Sequence, residues 1–274
     1  MKKINFIKMQ SLGNDFVIID NLKSINKLSK KIIRKISDRF YGIGCDQVLV
    51  LEKSQKKGIS FKYRIYNKDG SESGQCGNGA KCIAKYYFDN YAKNKKEINI
   101  ETISSKMKLK NHKSKKIEVE IGVPNFNLKE KVISKKIFTY KGRRYKFESV
   151  SVGNPHAVFI MKNIEKINLE EFSNSFAKKK FFRNGINISI IQHIKKNNWT
   201  ARVYERGSGE TNSCGSAACA IAATTVRLMD NSSLNTYINM RGGKAEVRWS
   251  GIETDPIYLL GTSEYVFEGA FLVK

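Results

Sequence analysis

Two cysteines at equivalent sequence positions are the residues best suited to do chemistry. The chain reads RIYNKDGSESGQCGNGAKCIA from Arg64 and RVYERGSGETNSCGSAACAIA from Arg202. The two segments align without a gap over 21 positions at a constant offset of 138, with eight identities, and they pair Cys76 with Cys214. Packing alone gives no reason for both halves to keep a thiol at this point. The repeat therefore predicts two functional thiols that face a shared site.

Each cysteine precedes small residues that are typical of the start of a helix. A thiol in a first helical turn feels the positive end of the helix dipole, which lowers its pKa below about 8.5. The N–H groups of that turn can bind a carboxylate, and Gly77 and Gly215 let the ligand approach the backbone. We expect a thiolate base and a thiol acid on opposite faces of a carbon next to that carboxylate, which would invert a stereocentre. The chemistry requires no metal or cofactor, because backbone donors stabilise the developing negative charge.

The elements that position these cysteines are predicted to be short strands alternating with helices. Apolar spacing predicts a helix over 29–40 that Ser29 caps, and a helix from Cys76 to Tyr87. Alternating apolar residues predict strands between the helices, and one last strand over 263–274. A second helix is expected to begin at Cys214.

The repeat extends beyond the cysteine segments to whole domains. Gly13-Asn14 matches Gly153-Asn154, and Gln47 matches Asn187, both at an offset of 140. We therefore expect an N-terminal domain over 1–121, completed by the strand over 263–274, and a C-terminal domain over 122–262.

Bulk properties favour a soluble globular protein. The net charge of +25 raises the possibility of nucleic-acid binding. The lysines are scattered, however, without the interleaved aromatic residues of a base-stacking surface, so we expect no nucleic-acid partner. No apolar run reaches the roughly 18 residues of a membrane helix, and no secretion signal is evident. Five cysteines and three dispersed histidines predict neither disulfides nor a metal site, and a cytoplasmic location is expected.

Six motifs in order resemble the diaminopimelate epimerase family over nearly the whole chain. They are LGNDF (12–16), GIGCDQ (42–47), YRIYNKDGSE with QCGNGAKC (63–82), GNPH (153–156), NGINI (184–188) and YERGSGET with CGSAACA (204–220). The resemblance implies cofactor-independent interconversion of LL- and meso-2,6-diaminopimelate in lysine and peptidoglycan synthesis. It implies an α/β (α+β) fold of two pseudo-symmetric domains. Each would be a curved mixed or antiparallel sheet wrapped around a central helix, with the site in the interdomain cleft.

The same resemblance implies a role for each matching residue. The implied catalytic residues are Cys76, Cys214, His156 and Glu205. The implied substrate-binding residues are Asn14, Gln47, Asn67, Gly77, Asn78, Asn154, Asn187, Glu205, Arg206, Gly215 and Ser216. Arg206 can bind a distal carboxylate with both arms of its guanidinium, and Glu205 can accept from an ammonium. His156 is expected to support catalysis by tuning a cysteine.

Structural explanations remain open for several of these residues. Asparagines in turns often bond their own backbone, and Glu205 with Arg206 could form an exposed charge pair. The aspartates and the glutamate beside the motifs, namely Asp15, Asp46, Asp69 and Glu72, are expected to be structural. Ala217 replaces a glycine and is expected to narrow access to the backbone. Phe267 falls where some relatives have a dimer-contact tyrosine, and a homodimer is expected.

Two alternative functions fit part of the sequence. A proline or hydroxyproline racemase also uses two cysteines at helix starts in related halves, and a basic nucleic-acid-binding protein would explain the charge. Glu205, Arg206 and the asparagines favour a substrate with a second polar end over a pyrrolidine ring. The nucleic-acid alternative leaves the aligned cysteines unexplained.

Overall fold

The computed structural model describes residues 2–23, 25–128, 136–229 and 235–273. Contacts within the chain divide it into two units. Unit 1 comprises residues 1–120 and 260–274, and unit 2 comprises residues 121–259. Both units combine parallel and antiparallel strand pairs with α-helices, so the predicted mixed α/β class is confirmed.

Unit 1 contains most of its strands before residue 122 and one more at the C-terminus. Its strands are β1 (Lys2–Ser11), β2 (Asn14–Asp20), β3 (Gln47–Glu52), β4 (Lys62–Asn67), β5 (Glu72–Ser73), β6 (Glu97–Glu101), β7 (Lys106–Asn111), β8 (Ile117–Gly122) and β18 (Glu264–Val273). Its helices are α1 (Lys30–Ser37) and α2 (Gly77–Tyr91). The last strand returns to the first, because β18 pairs antiparallel with β1.

Unit 2 repeats this order of elements. Its strands are β9 (Ile137–Tyr140), β10 (Arg143–Ser151), β11 (Pro155–Ile160), β12 (Asn187–Lys195), β13 (Asn198–Glu205), β14 (Gly209–Thr211), β15 (Asn235–Met240), β16 (Gly243–Arg248) and β17 (Ile257–Gly261). Its helices are α3 (Leu169–Lys178) and α4 (Gly215–Met229).

The strand pairing of the two units is the same. In unit 1, β2 pairs antiparallel with β1 and parallel with β3, and β3 pairs antiparallel with β4. In unit 2, β11 pairs antiparallel with β10 and parallel with β12, and β12 pairs antiparallel with β13. Even the register recurs at the offset of 140, since Phe16 lies opposite Gln47 and His156 lies opposite Asn187. The sequence repeat is therefore a repeat of the fold.

One buried helix in each unit packs on the sheet. Helix α2 contacts β1, β2, β3 and β7, and α4 contacts β10, β11, β12, β15 and β16. Five of the 15 residues of α4 are alanine, and most of its residues are buried. Small side chains allow a helix to approach a sheet closely, so the start of each helix is held rigidly by its surroundings.

The other helices cover the opposite faces of the sheets. Ile33 and Ile36 of α1 pack with β1, β2 and β3, and Phe172 and Phe176 of α3 pack in an aromatic cluster with β9 to β12. Helix α1 ends at Ser37, before the predicted end at Phe40. The Asp38 carboxylate accepts from the N–H groups of Phe40 and Tyr41, and this local turn replaces further helical bonds. In the described ranges, no helix is long and apolar enough to cross a membrane.

Candidate active site

Cys76 and Cys214 occupy the same position at the start of α2 and α4. The Cys76 carbonyl accepts from Ala80 N–H at 2.8 Å, and the Cys214 carbonyl accepts from Ala218 N–H at 3.0 Å. Each sulfur also caps its helix, three residues before the donor. Gly79 N–H donates to Cys76 Sγ at 3.3 Å, and the N–H of Ala217 donates to Cys214 Sγ. The predicted placement of both cysteines at helix starts is therefore confirmed.

The start of α2 depends on close packing between Gly79 and Tyr63 of β4. A Cβ added to Gly79 would lie 2.3 Å from the Tyr63 hydroxyl oxygen, so a larger residue there would force one of the two to move. The Tyr63 hydroxyl in turn donates to the Cys76 carbonyl at 3.4 Å. At the equivalent positions of unit 2, Ala201 replaces the tyrosine and Ala217 replaces the glycine. The departure at Ala217 is thus matched by a smaller residue on β13.

Cys214 belongs to a network of hydrogen bonds inside unit 2. Its thiol donates to Glu205 Oε2 at 3.1 Å, and Thr211 donates to Glu205 Oε1 at 2.7 Å. Cys214 Sγ also lies 3.3 Å from Ser216 Oγ, and Ser216 Oγ lies 3.1 Å from His156 Nε2. Asn154 Oδ1 also lies 3.0 Å from His156 Nε2, so five of the predicted site residues are in one connected cluster, to which the structure adds Thr211.

The proton positions in this network follow from the groups that can only accept. His156 Nε2 lies 3.0 Å from the amide oxygen of Asn154, so the ring must carry its proton on Nε2. His156 is fully buried, and burial lowers its pKa to about 3, so the ring is neutral at pH 7. Its Nδ1 has no hydrogen-bond partner in the part of the chain that the structure describes. The single Nε2–H lies within hydrogen-bond distance of both Asn154 Oδ1 and Ser216 Oγ, which share it, and Ser216 can give its own proton to Cys214.

The expectation that a helix start lowers the thiol pKa is wrong for Cys214. Burial and the nearby Glu205 carboxylate raise the pKa of Cys214 well above its ordinary value. Hydrogen bonds from Ser216 and Ala217 favour the thiolate but do not offset burial. Desolvation disfavours the charged form, and only 7% of Cys214 is exposed. Cys214 therefore rests as a thiol, whereas Cys76 is more accessible to solvent.

The predicted amide residues of unit 1 lie together at one edge of the sheet. Asn14 begins β2, Gln47 begins β3, and Asn67 ends β4 directly opposite Gln47. Gln47 donates to the Asn67 amide oxygen at 2.9 Å, and Asn14 donates to Asp46 at 2.8 Å. Asn78, in the first turn of α2, is buried.

The predicted polar residues of unit 2 lie at the equivalent edge. Asn154 precedes β11, Asn187 begins β12 and Glu205 ends β13. The N–H of Arg206 donates to the Asn187 amide oxygen at 2.9 Å, and the Arg206 guanidinium donates to the Asn184 carbonyl. Arg206 also lines a cavity of about 670 Å³ between α3 and the segment that leads into β12. None of the other predicted site residues lines this cavity.

The remaining cysteines are structural. Cys45, Cys82 and Cys219 are fully buried. Burial raises the pKa of Cys45 to about 11 and that of Cys82 well above its ordinary value. In the described ranges, no cluster of three or more His, Cys, Asp or Glu residues could hold a metal ion.

An equivalent ion pair joins two neighbouring strands in each unit. Arg64 binds Glu72 and Arg202 binds Glu210, each through two hydrogen bonds, and in both cases the two residues are eight positions apart. Glu72 was expected to be structural, and this pairing confirms it. The Arg202 side chain is only 8% exposed and also donates to two backbone carbonyls. These pairs tie the short strands β5 and β14, which lead to the cysteines, to their neighbours.

Sequence comparison matches the chain to diaminopimelate epimerases. The family model described as diaminopimelate epimerase matches residues 6–127 and 148–266. A diaminopimelate epimerase from Blochmanniella pennsylvanica is 37% identical over 275 residues, which is 97% of this chain and 98% of the relative.

Comparison with solved structures shows the same fold in more distant proteins. A phenazine biosynthesis protein of the PhzF family from Bacillus anthracis superposes with a TM-score of 0.75 at 17% identity, and each chain is covered completely. A hydroxyproline epimerase from Agrobacterium vitis, solved with trans-4-hydroxy-L-proline, gives a TM-score of 0.70 at 9% identity. That match covers 98% of this chain and 92% of the other.

Proposed function

The chain belongs to the diaminopimelate epimerase family, and on this premise we propose that it interconverts LL- and meso-2,6-diaminopimelate. The reaction is an isomerisation at one alpha carbon, in the synthesis of lysine and of peptidoglycan precursors. The observation that supports it best is the matched placement of two cysteines. Each sulfur caps a buried helix and accepts the N–H of the residue three positions later.

The proposed mechanism uses the two cysteines as an acid/base pair. One thiolate removes the alpha proton, and the other thiol returns a proton to the opposite face, so the two thiols exchange protonation states in each turnover. Cys214 enters as the thiol in the state described, because its S–H donates to Glu205. No cofactor takes part in the reaction as proposed.

The first turns of α2 and α4 are proposed to bind the carboxylate at the reacting end. The N–H groups at a helix start have no carbonyl partner inside the helix, and the helix dipole favours an anion there. In the proposal these donors come from Gly77 and Asn78 in one unit and from Gly215 and Ser216 in the other. They would stabilise the negative charge that develops as the alpha proton leaves.

The polar residues beside the cysteines are proposed to bind the rest of the substrate. Arg206 is assigned to the distal carboxylate, and Asn14, Gln47, Asn67, Asn154 and Asn187 are assigned to the polar groups of the two ends. Glu205 is proposed to accept from an ammonium or from the Cys214 thiol, and His156 to hold Ser216 beside that thiol.

The oligomeric state and the cellular location are also proposals. We expect a cytoplasmic homodimer that binds no nucleic acid. Phe267 on β18 is 49% exposed, with Tyr265 and Val266 beside it, and these residues would supply an apolar contact surface. The domain limits of 1–121 with 263–274, and of 122–262, are also proposed. The two contact units support them.

The test is epimerisation of LL-diaminopimelate in heavy water. Deuterium should enter the product at the inverted carbon, and Cys76→Ala and Cys214→Ala should each abolish turnover. Cys45→Ala is the matched control, because that thiol is buried beside Ser37 and has no proposed role. Turnover of L-proline instead of diaminopimelate would favour the racemase alternative, whose fold the hydroxyproline epimerase shares. Near-normal activity of either active-site variant would refute the two-thiol mechanism.

A further inference from the structure

The side-chain amides of Asn14, Gln47, Asn154 and Asn187 are held by hydrogen bonds to neighbouring residues. These hydrogen bonds decide whether the amide oxygen or the NH₂ group of each side chain is left for a ligand. An amide offers an oxygen that only accepts and an NH₂ group that only donates. A neighbour that binds one end therefore turns the other end outward. The neighbours differ between the two units, and the difference bears on which substrate group each edge can bind.

Asp46 fixes the orientation of Asn14. The Asn14 NH₂ group donates to Asp46 Oδ2 at 2.8 Å. The same carboxylate binds Arg39 at 3.0 Å and Lys68 at 3.2 Å, so it is an acceptor flanked by two cations. If the Asn14 amide were reversed, its oxygen would lie against the Asp46 carboxylate oxygen, and neither atom could donate a hydrogen bond to the other. The Asn14 oxygen therefore faces away, and it has no hydrogen-bond partner within the described residues.

Asp69 fixes the orientation of Gln47 through a relay. The Ser71 hydroxyl donates to Asp69 at 2.6 Å, and this hydroxyl accepts from the Asn67 NH₂ group at 3.0 Å. The Asn67 oxygen is thereby turned toward Gln47, whose NH₂ group donates to it at 2.9 Å. The hydrogen bonds from Ser71 lower the pKa of Asp69, which keeps the relay pointing in one direction. Gln47 is left presenting its oxygen.

The equivalent amides of unit 2 present the opposite end. The N–H of Arg206 occupies the Asn187 oxygen, and His156 Nε2 occupies the Asn154 oxygen. The NH₂ groups of both asparagines have no hydrogen-bond partner among the described residues. Unit 2 also lacks the orienting carboxylates, since Ile186 stands at the position equivalent to Asp46 and Gly207 at that equivalent to Asp69.

We propose that Asp46 and the relay from Asp69 are positioning residues that make the Asn14 and Gln47 edge of unit 1 an ammonium-binding edge. Two outward oxygens can accept from a substrate ammonium but repel a carboxylate. The outward NH₂ groups of Asn154 and Asn187 suit a carboxylate. This inference rests on the proposed function, since it assigns the ammonium to diaminopimelate.

The experiment compares two ligands that differ only in their ammonium groups. Diaminopimelate carries two, and heptanedioate, used as a competitive inhibitor, carries none. In Asp46→Asn, the amide that replaces the carboxylate can either donate to Asn14 or accept from it, so it no longer fixes the orientation of the Asn14 amide. We expect KM for diaminopimelate to rise about tenfold, which is the typical loss of one hydrogen bond to a charged group. The turnover number should change less than threefold and the heptanedioate inhibition constant less than twofold.

Further variants separate positioning from folding. Asp89→Asn, which alters an exposed aspartate on α2, is the matched control and should change none of these constants. Ser71→Ala breaks the relay and should raise KM in the same selective way. The double variant Asn14→Asp with Asp46→Asn places an oxygen outward again, and should restore most of the preference for diaminopimelate.

Two results would overturn the inference. Equal weakening of both ligands in Asp46→Asn would mean that the aspartate only supports the fold, and unchanged constants would mean that it orients nothing. Failure of the proposed function is recognised separately, because the unsubstituted protein would then not epimerise LL-diaminopimelate at all.

Discussion

Acidification should destabilise unit 2 through His156. Burial lowers the pKa of this histidine from 6.5 to about 3, so the folded protein stays neutral there while the unfolded chain takes up a proton. The stabilisation is fully present above pH 6.5 and is lost as the pH falls toward 3. Each pH unit below 6.5 costs about 1.4 kcal/mol, so the loss at pH 5 is roughly 2 kcal/mol. Because pH 5 lies well above the folded value, this figure depends little on how far the pKa falls.

The two tryptophans make the measurement specific to one unit. Trp199 and Trp249 are the only tryptophans of the chain, and both are buried in unit 2. Urea unfolding followed by tryptophan fluorescence at pH 7 and pH 5 therefore reports on the part that contains His156. The unsubstituted protein should lose roughly 2 kcal/mol more between these pH values than His156→Gln, which cannot titrate but can still donate to Asn154.

The control variant is His193→Gln. His193 is exposed on β12 and its ring packs against Trp199, with the ring centroids 4.8 Å apart, so its loss tests whether a change near the fluorophore alters the signal. It should leave the pH dependence of stability as it is in the unsubstituted protein. Identical pH dependence in the unsubstituted protein and in His156→Gln would refute the reasoning, because the histidine would then have the same pKa in both states.

Three other predictions follow from the packing and accessibility of the site. Gly79→Ala should cost about 1–3 kcal/mol of unfolding free energy, because its Cβ meets the Tyr63 hydroxyl, and Tyr63→Phe in the same chain should recover part of it in urea unfolding followed by circular dichroism. Glu210→Gln should lower the free energy of unfolding by about 3 kcal/mol and Glu72→Gln by about 1 kcal/mol. The side chain of the arginine left without its partner is 8% exposed in the first case and 30% in the second, and equal losses would contradict this reasoning. Iodoacetamide should modify Cys76 before the four buried cysteines, and peptide mass spectrometry would reveal any labelling of Cys214 at the same rate.

The repeated features of the fold could be predicted from the sequence. The constant offsets of 138 and 140 paired the cysteines, the asparagines and the strands, and the observed register repeats at the same offset. Glycine and small residues after each cysteine indicated where α2 and α4 begin. These features depend on local sequence, and two copies of a pattern confirm one another.

Charge and orientation within the site could not be predicted in the same way. The raised pKa of Cys214 depends on its burial and on a carboxylate nine residues earlier. The neutral state of His156 depends on packing around β11, and the orientation of Asn14 depends on Asp46, which is 32 residues away in sequence. Such effects arise from tertiary contacts, which neither spacing nor composition encodes. The four acidic residues beside the motifs looked alike in sequence, and only their partners distinguish them.

The pairing of Tyr63 with Gly79 limits the order in which the two halves could have diverged. At the equivalent positions, unit 2 has two alanines. A direct change of Gly79 to alanine opposite tyrosine places two atoms 2.3 Å apart, so the less costly path between the two states reduces the tyrosine first. In the reverse direction, the less costly path changes Ala217, in the first turn of α4, to glycine before a tyrosine replaces Ala201. In each unit, the residue on the strand therefore limits which residue can stand at the third position of the cysteine helix. Converting one unit's pair into the other's takes two substitutions.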